Sequence, residues 1–351
     1  MAPISVGIIG AGLSAQTFHA PFIVANPRFK LASFLRCRAG PVANYESFPV
    51  ETDEAKFLAS DIELVIITSP PSVHFEQAKA ALKAGKHVIV EKPFTVTSAE
   101  GAELVEIAET AGKVLAVYHN RRWDGDFLTV AKLIGDGKLG RVVEFDSRFE
   151  RYRNSVREGA WKEQDLPGSG ILYDLGSHLV DQALTLFGRP DSVTGHVLNL
   201  RQLEAVTDDA FTIILTYSKP HPKLITLKST MLAKQPGPRF TVHFTHGSYV
   251  KTGVDVQEEQ LRARKTPDSP GFGVEDDKFA GTVWAEESTG VASGKITTAT
   301  GNYAAFFENV AEAVGGSGTA VLSVQPAQIV DVIRVIEMAR QSSIEGRSIR
   351  F

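Results

Sequence analysis

The sequence predicts an α/β protein: a doubly wound half with a parallel sheet over residues 1–120, then an α+β half over 121–351 with a mostly antiparallel sheet. Three observations predict it. Five apolar, β-branched runs alternate with helical patterns before residue 120, as successive βαβ units do. The first run leads directly into a glycine-rich turn, G-A-G-L-S-A at positions 10–15, and then into a helical pattern. Beyond residue 120 the period changes: positions 142–152, V-V-E-F-D-S-R-F-E-R-Y, alternate apolar and polar like an antiparallel strand covered on one face.

With 351 residues, 43% of them hydrophobic, the chain can bury a large core, and its length favours two domains. A formal net charge of -4 leaves no broad basic field for nucleic acid. The one cysteine, Cys37, cannot close an internal disulfide, which fits a reducing compartment. No basic-then-apolar leader opens the sequence, and no apolar run approaches the ~20 residues of a membrane span. The expectation is a soluble, cytoplasmic protein without membrane or nucleic-acid partners.

Positions 4–9 (I-S-V-G-I-I) read as the first strand, followed by a helix to about residue 25. In the turn between them Gly10 allows a tight bend, Gly12 lets a pyrophosphate approach the backbone, and small Ala15 lets helix and strand pack closely; Leu13 and Ser14 complete it. Phosphates would meet the unpaired N–H groups of the helix start, although glycines also mark ordinary turns. A second strand, 29–35, ends in Arg36-Cys37-Arg38, with no acidic residue between positions 30 and 45. An acid there serves the ribose 2'-hydroxyl of NAD(H), whereas arginine accommodates a 2'-phosphate. NADP(H) is therefore favoured, with Arg36 the first phosphate partner and Arg38 the second; NAD(H) stays open, since both arginines also suit a solvent-facing strand end.

A helix start at 52–54, a strand at 64–68 and a helix over 72–84 follow, the rigid loop Ser69-Pro70 lying at the carboxyl edge of the sheet. His74, in the first turn of that helix, reads equally as a surface residue. The fourth strand, within K-H-V-I-V-E-K-P-F at 86–94, stops at charge. Pro93 blocks continuation and holds Lys92 out of the helical region, leaving Glu91 and Lys92 at a ligand crevice, or simply at a solvated strand end. A helix over 98–111 and a strand over 114–118 end in His119-Asn120-Arg121-Arg122.

The second half opens with a helix over about 126–134, then strand patterns at 142–152, 193–200, 210–217, 224–231 and 240–245. Positions 262–301, rich in Gly, Ser, Thr and charge, predict loops or a peripheral hairpin, and helices over about 303–314 and 326–341 close the chain. Within I-L-Y-D-L-G-S-H-L-V-D-Q-A-L-T-L-F, a spacing of 100° per residue places Leu172, Leu175, Leu179, Ala183 and Leu186 on one helix face and Asp174, His178, Asp181 and Thr185 on the other. A polar stripe is most simply solvent exposure. Facing a cleft, however, Asp174 would orient His178 and make it a general acid/base near neutral pH. Asp174, His178 and Asp181 have metal-ligating chemistry, but no further histidine cluster supports a metal site, and none is expected. Combined, these parts describe hydride transfer: Lys92 would polarise a substrate oxygen and His178 would take its proton, in an order the residues leave open.

Three motifs, G-A-G-L-S-A, E-K-P at 91–93 and G-x-G-x-x-x-D-x-G-x-H from Gly168 to His178, resemble the glucose-fructose oxidoreductase, inositol dehydrogenase and rhizopine-catabolism (Gfo/Idh/MocA) family over essentially the whole chain. The stretches V-Y-H-N-R-R-W-D-G-D-F-L-T, Y-D-L-G-S-H-L-V-D-Q-A-L and G-S-Y-V-K resemble a bacterial subgroup that includes scyllo-inositol dehydrogenases. The resemblance implies a nicotinamide-binding Rossmann domain and a second domain whose large open sheet often makes dimer contacts. It implies the catalytic set Lys92, Asp174 and His178. Ser69, Pro70, His74, Glu91, Lys92 and Asn120 would lie along the cofactor; Arg122, Trp123, Tyr152, Trp161 and Tyr303 would line the substrate with Asp174 and His178, each aromatic equally suiting the core. The expected activity is NAD(P)-dependent oxidation or reduction of a cyclic polyol or sugar, scyllo-inositol or an aldose. The alternative is a cofactor-binding sensor or transcriptional co-regulator without turnover, against which retention of all three catalytic residue types argues.

Overall fold

The computed structural model describes residues 2–156, 163–204, 207–316 and 321–351. The chain forms two compact units: Met1–Asn120 with Gln257–Phe272 and Asn302–Val330, and Arg121–Val256 with Gly273–Gly301 and Asp331–Phe351. After residue 120 the chain thus returns twice to the first unit.

The first unit is built on a parallel sheet of β1 (Ile4–Ile9), β2 (Phe29–Leu35), β3 (Val50–Glu51), β4 (Leu64–Ile67), β5 (His87–Val90) and β6 (Leu115–Val117), in the order β3-β2-β1-β4-β5-β6. Val6, Ile8, all four residues of β4, and Val88, Ile89 and Val90 are buried, the unbroken apolar pattern of strands covered on both faces. Strand order reverses between β1 and β4, which opens a crevice at their carboxyl ends. Four helices join these strands: α1 (Ala20–Ala25), α2 (Glu54–Ala59), α3 (His74–Lys83) and α4 (Ser98–Ala111). Asp53 caps α2 by accepting from the amides of Ala55 and Lys56, and a Thr97–Glu100 capping box starts α4. The two-residue edge strand β3 is an addition to the five strands that periodicity predicts.

In the second unit, α5 (Gly125–Asp136) and α6 (Ser177–Phe187) accompany a nine-stranded sheet. Its strands are β7 (Val142–Glu150), β8 (Ser192–Leu198), β9 (Ala210–Tyr217), β10 (Lys223–Thr230), β11 (Phe240–Phe244), β12 (Gly247–Lys251), β13 (Gly281–Ala285), β14 (Gly294–Ile296) and β15 (Ile349–Arg350). They run in the order β14-β13-β12-β11-β7-β10-β9-β8-β15. Every pair is antiparallel except β7 with β10. Apolar Leu179, Val180 and Ala183 of α6 are buried where the helix meets β7 and β10, alongside Phe145, Ile225 and Leu227 of those strands. The 262–301 stretch, read as loops or a hairpin, supplies β13 and β14. The remaining helices are α7 (Gln257–Arg262) and α8 (Ala304–Gly315) in the first unit, where Phe307 stacks on Phe22 of α1 at 5.1 Å, and α9 (Pro326–Glu345). Among the described residues no helix is long and apolar enough to cross a membrane.

Candidate active site

One group of candidate residues grows out of β1. Gly10 ends the strand in left-handed backbone, φ +96°, and a Cβ there would fall 2.5 Å from the Thr68 hydroxyl, so only glycine makes this turn. At Gly12 a Cβ would meet nothing within 4 Å, which leaves open the space a pyrophosphate needs against the backbone. The chain then enters one π-helical turn, Ala15–His19, before α1. Buried Ala15 permits the close packing expected of it, while Leu13 is 55% exposed. The turn therefore fits a dinucleotide: an open cradle, amide groups at a helix start, and no side chain across the approach.

Glu91, at the end of β5, ties this turn to Lys92. It is 7% exposed and accepts from the Ser14 hydroxyl, from the Lys92 amide at 2.9 Å and from His19 Nε2, which lies 2.9 Å away. Burial alone would raise the carboxyl's pKa, but the contact with His19, the charge of Lys92 and the Ser14 hydroxyl outweigh it and hold it at about 2. His19 is itself fixed by Tyr118, whose ring centroid lies 4.3 Å away. Lys92 is half-buried, and its bond to Pro93 is cis. The depressed carboxyl makes a prediction. Above the unfolded value of 4.5 Glu91 is ionised in both states and contributes its full stabilisation; as pH falls toward 2, the unfolded chain takes up a proton the native protein refuses, and the contribution, on the order of 3 kcal/mol, disappears. Urea denaturation between about pH 5 and pH 3 should therefore show a shallower loss of stability for Glu91→Gln than for wild type. Parallel slopes would exclude a depressed carboxyl.

At the β2 end Arg36 is half-buried, with Nη1 3.4 Å from the carbonyl of Pro41, and Arg38 is exposed. Sequence reasoning missed an acid that topology brings here: β3 sets Glu51 beside Leu35. Its carboxylate, however, accepts from the amides of Thr52 and Asp53 at 2.7 and 2.9 Å, and these bonds pull its pKa down. That engagement turns it toward the start of α2.

Ser69 and Pro70 lie where β4 gives way to α3, half-buried and exposed respectively, with the Ser69 hydroxyl on Gln77 Oε1. His74, expected along the cofactor, is fully buried; Nδ1 lies 3.0 Å from the Pro93 carbonyl and Nε2 2.8 Å from that of Ser69. Burial pulls its pKa below the ordinary imidazole range against the opposing pull of those carbonyls and Glu91. His74 thus joins the Ser69 loop to the segment after Lys92. Tyr303, expected at the substrate, is fully buried in the first unit, its ring 6.5 Å from that of Phe22 and its amide donating to Gln257 Oε1. Asn120, 6% exposed, closes this unit just past β6.

A second group of candidate residues belongs to the other unit. Asp208 starts its helical segment: the carbonyl accepts from the Ile171 amide at 3.0 Å and the carboxylate from that of Leu172 at 2.7 Å. Gly170, φ +90°, is required because a Cβ would lie 2.4 Å from the same carboxylate. A π-helical turn, Leu172–Gly176, carries Asp174, and α6 carries His178. The 100° spacing accordingly holds only from Ser177 onward. Asp174 is half-buried and His178 is 4% exposed, with its ring 6.5 Å from that of Phe149 in a T-shaped pair. Asp181 is 1% exposed, so the polar stripe is not a solvent face along this turn. A metal use of Asp181 is opposed by its ion pair with Arg122, and among the described residues no group of three or more His, Cys, Asp or Glu gathers for an ion. Trp123 is half-buried in the turn after Arg122, and Tyr152 is 50% exposed beyond β7. Trp161 lies outside the described residues.

Comparison with known proteins matches two family models in succession along the chain. Residues 4–119 match a family model described as oxidoreductase family, NAD-binding Rossmann fold, and residues 131–351 match oxidoreductase family, C-terminal alpha/beta domain. An uncharacterized oxidoreductase of Schizosaccharomyces pombe is 40% identical over 100% of both chains. The scyllo-inositol 2-dehydrogenase (NADP(+)) IolW of Bacillus subtilis is 36% identical over 99% of this chain and 95% of its own. A solved oxidoreductase structure from Bacillus subtilis, 36% identical, superposes with a TM-score of 0.94 over 100% of this chain and 99% of that one.

Proposed function

The chain belongs to the Gfo/Idh/MocA oxidoreductase family, and on that premise we propose that it transfers hydride between NADP(H) and a hydroxyl-bearing carbon of a cyclic polyol or sugar, scyllo-inositol and its ketone being the first substrates to test. The observation that carries the reading is the Ser14–Glu91–Lys92 linkage, which joins an open dinucleotide turn to a cation at the switch edge of the sheet. When bound, the nicotinamide supplies or accepts the hydride. Lys92 donates a hydrogen bond to the substrate oxygen and stabilises negative charge developing there. His178 holds the proton that leaves the hydroxyl, or returns it to the carbonyl during reduction, and Asp174 keeps the imidazole in one tautomer. Arg36 and Arg38 favour the 2'-phosphate, a reading supported by the engagement of Glu51 at the start of α2 and by the NADP(+) in the name of IolW.

Exposed apolar residues alternate with buried ones on the second sheet, Leu198, Leu224 and Trp284 among them, which supports a homodimer through that sheet. The test of function follows reduced-nicotinamide absorbance with inososes and keto-sugars. NADPH should be consumed with a cyclic ketone in the panel, and Arg36→Ala should weaken the preference for NADPH over NADH by roughly ten- to a hundredfold. Tight dinucleotide binding without turnover across the panel would overturn the reading and favour a sensor.

A further inference from the structure

Arg122 was expected to line the substrate. In the structure its guanidinium grips Asp181 instead, with Nε 3.0 Å from Oδ2 and Nη2 2.7 Å from Oδ1, the two side chains 9% and 2% exposed. A second bond runs beside this one: Gln182 Nε2 donates to the Arg121 carbonyl at 2.7 Å. Gln182 Oε1 in turn accepts from Arg239 Nη2 at 2.7 Å, and Arg239 Nη1 donates to the Ser147 hydroxyl of β7. Two successive residues of α6 are thereby strapped to two successive residues of the turn after β6, and the strap is anchored on the sheet.

Asp181 lies three residues past His178, on the adjacent turn of the same helix face. A buried ion pair adds little stability compared with a well-packed apolar pair, because two charges must be desolvated; its bidentate fork does fix geometry. We propose that Arg122 and Asp181 are a positioning pair that locks the register of α6, so that the His178 imidazole keeps one place and faces a neutralised carboxylate. This rests on the reading of His178 as the acid/base. The other charged groups around that face are Asp174 on the same helical segment and, across the Phe149 ring, the guanidiniums of Arg121 and Arg239, 4.9 and 3.9 Å from its centroid. Arg121 pairs with Asp124 at 3.2 Å and Arg239 with Asp126 at 3.4 Å, and Asp255 also acts on Arg239.

Histidine-labelled full-length protein, with the His178 signal assigned through His178→Asn, gives a test by NMR titration that needs no turnover. Arg122→Met strands the Asp181 carboxylate beside the imidazole and should raise its titration midpoint by about one pH unit; Asp181→Asn strands the guanidinium and should lower it by a similar amount. The double variant should return close to wild type. Single variants that move the midpoint in the same direction, or leave it in place, would overturn the proposal. Asp181→Asn preserves side-chain shape and keeps the test decisive if Arg122→Met fails to fold. In an active preparation Arg122→Lys, which keeps the charge and loses the fork, should hold the His178 midpoint while kcat falls by up to roughly a hundredfold with little change in KM. A failure of catalysis with opposite NMR shifts intact would count against the functional reading alone.

Discussion

Replacing Lys92 with alanine is expected to lower kcat by roughly 10³-fold or more while changing the dissociation constant for NADPH less than tenfold. The ammonium is the one cation the sequence places directly after β5, at the edge where the dinucleotide turn also opens. In the proposed reaction negative charge grows on the substrate oxygen, and a fixed cation stabilises that state more than it stabilises the neutral alcohol or ketone. In the same proposal the dinucleotide gains its affinity from the Gly10–Ala15 backbone and from Arg36. Steady-state kinetics beside a fluorescence titration of NADPH separates the two effects. A variant retaining more than about a tenth of wild-type kcat would remove Lys92 from the chemistry.

Arg239→Ala should be the most damaging change to stability, costing about 3–5 kcal/mol in urea denaturation. The side chain is 2% exposed, its ring neighbours Phe149 and Phe240 lie 3.9 and 4.0 Å from the guanidinium carbon, and it serves Gln182, Ser147 and Asp126 together. Burial pulls its pKa below the usual guanidinium value, while the charges of Asp126 and Asp124 hold the proton on. Alanine would leave the fully buried Asp126 carboxylate facing a cavity, and the penalty is that of an uncompensated buried charge, larger than the worth of the pair itself. A loss under about 1 kcal/mol would mean that Asp126 is protonated or finds another partner.

Local chemistry was legible in the sequence where it repeats with a period or sits at a fixed offset. The strand-turn-helix setting of Gly10 and Gly12 and the buried run ending at Glu91 and Lys92 both follow from neighbours in the chain. The π-helical turns at Ala15–His19 and Leu172–Gly176 did not, because a single five-residue turn is too short to show a period of its own. β3 is two residues long and carries no period at all, yet it brings Glu51 to the end of β2. Burial at long range was equally hidden. Arg122 finds its partner 59 positions away, His74 is held by carbonyls 19 and 20 positions further on, and Tyr303 returns from the far end of the sequence to the core of the first unit. Each was placed near a ligand by family resemblance, which carries no information on how deeply a side chain is buried.

Isotope transfer tests most directly whether hydride passes from NADPH to a substrate carbonyl carbon. NADPH carrying deuterium at the transferring position of its ring is incubated with the protein and a cyclic keto-polyol, and the product is examined by mass spectrometry and NMR. The account predicts one deuterium on the newly formed carbinol carbon, with none acquired there from deuterated solvent when unlabelled NADPH is used. A product labelled from solvent alone, or no product while NADPH remains tightly bound, would contradict it.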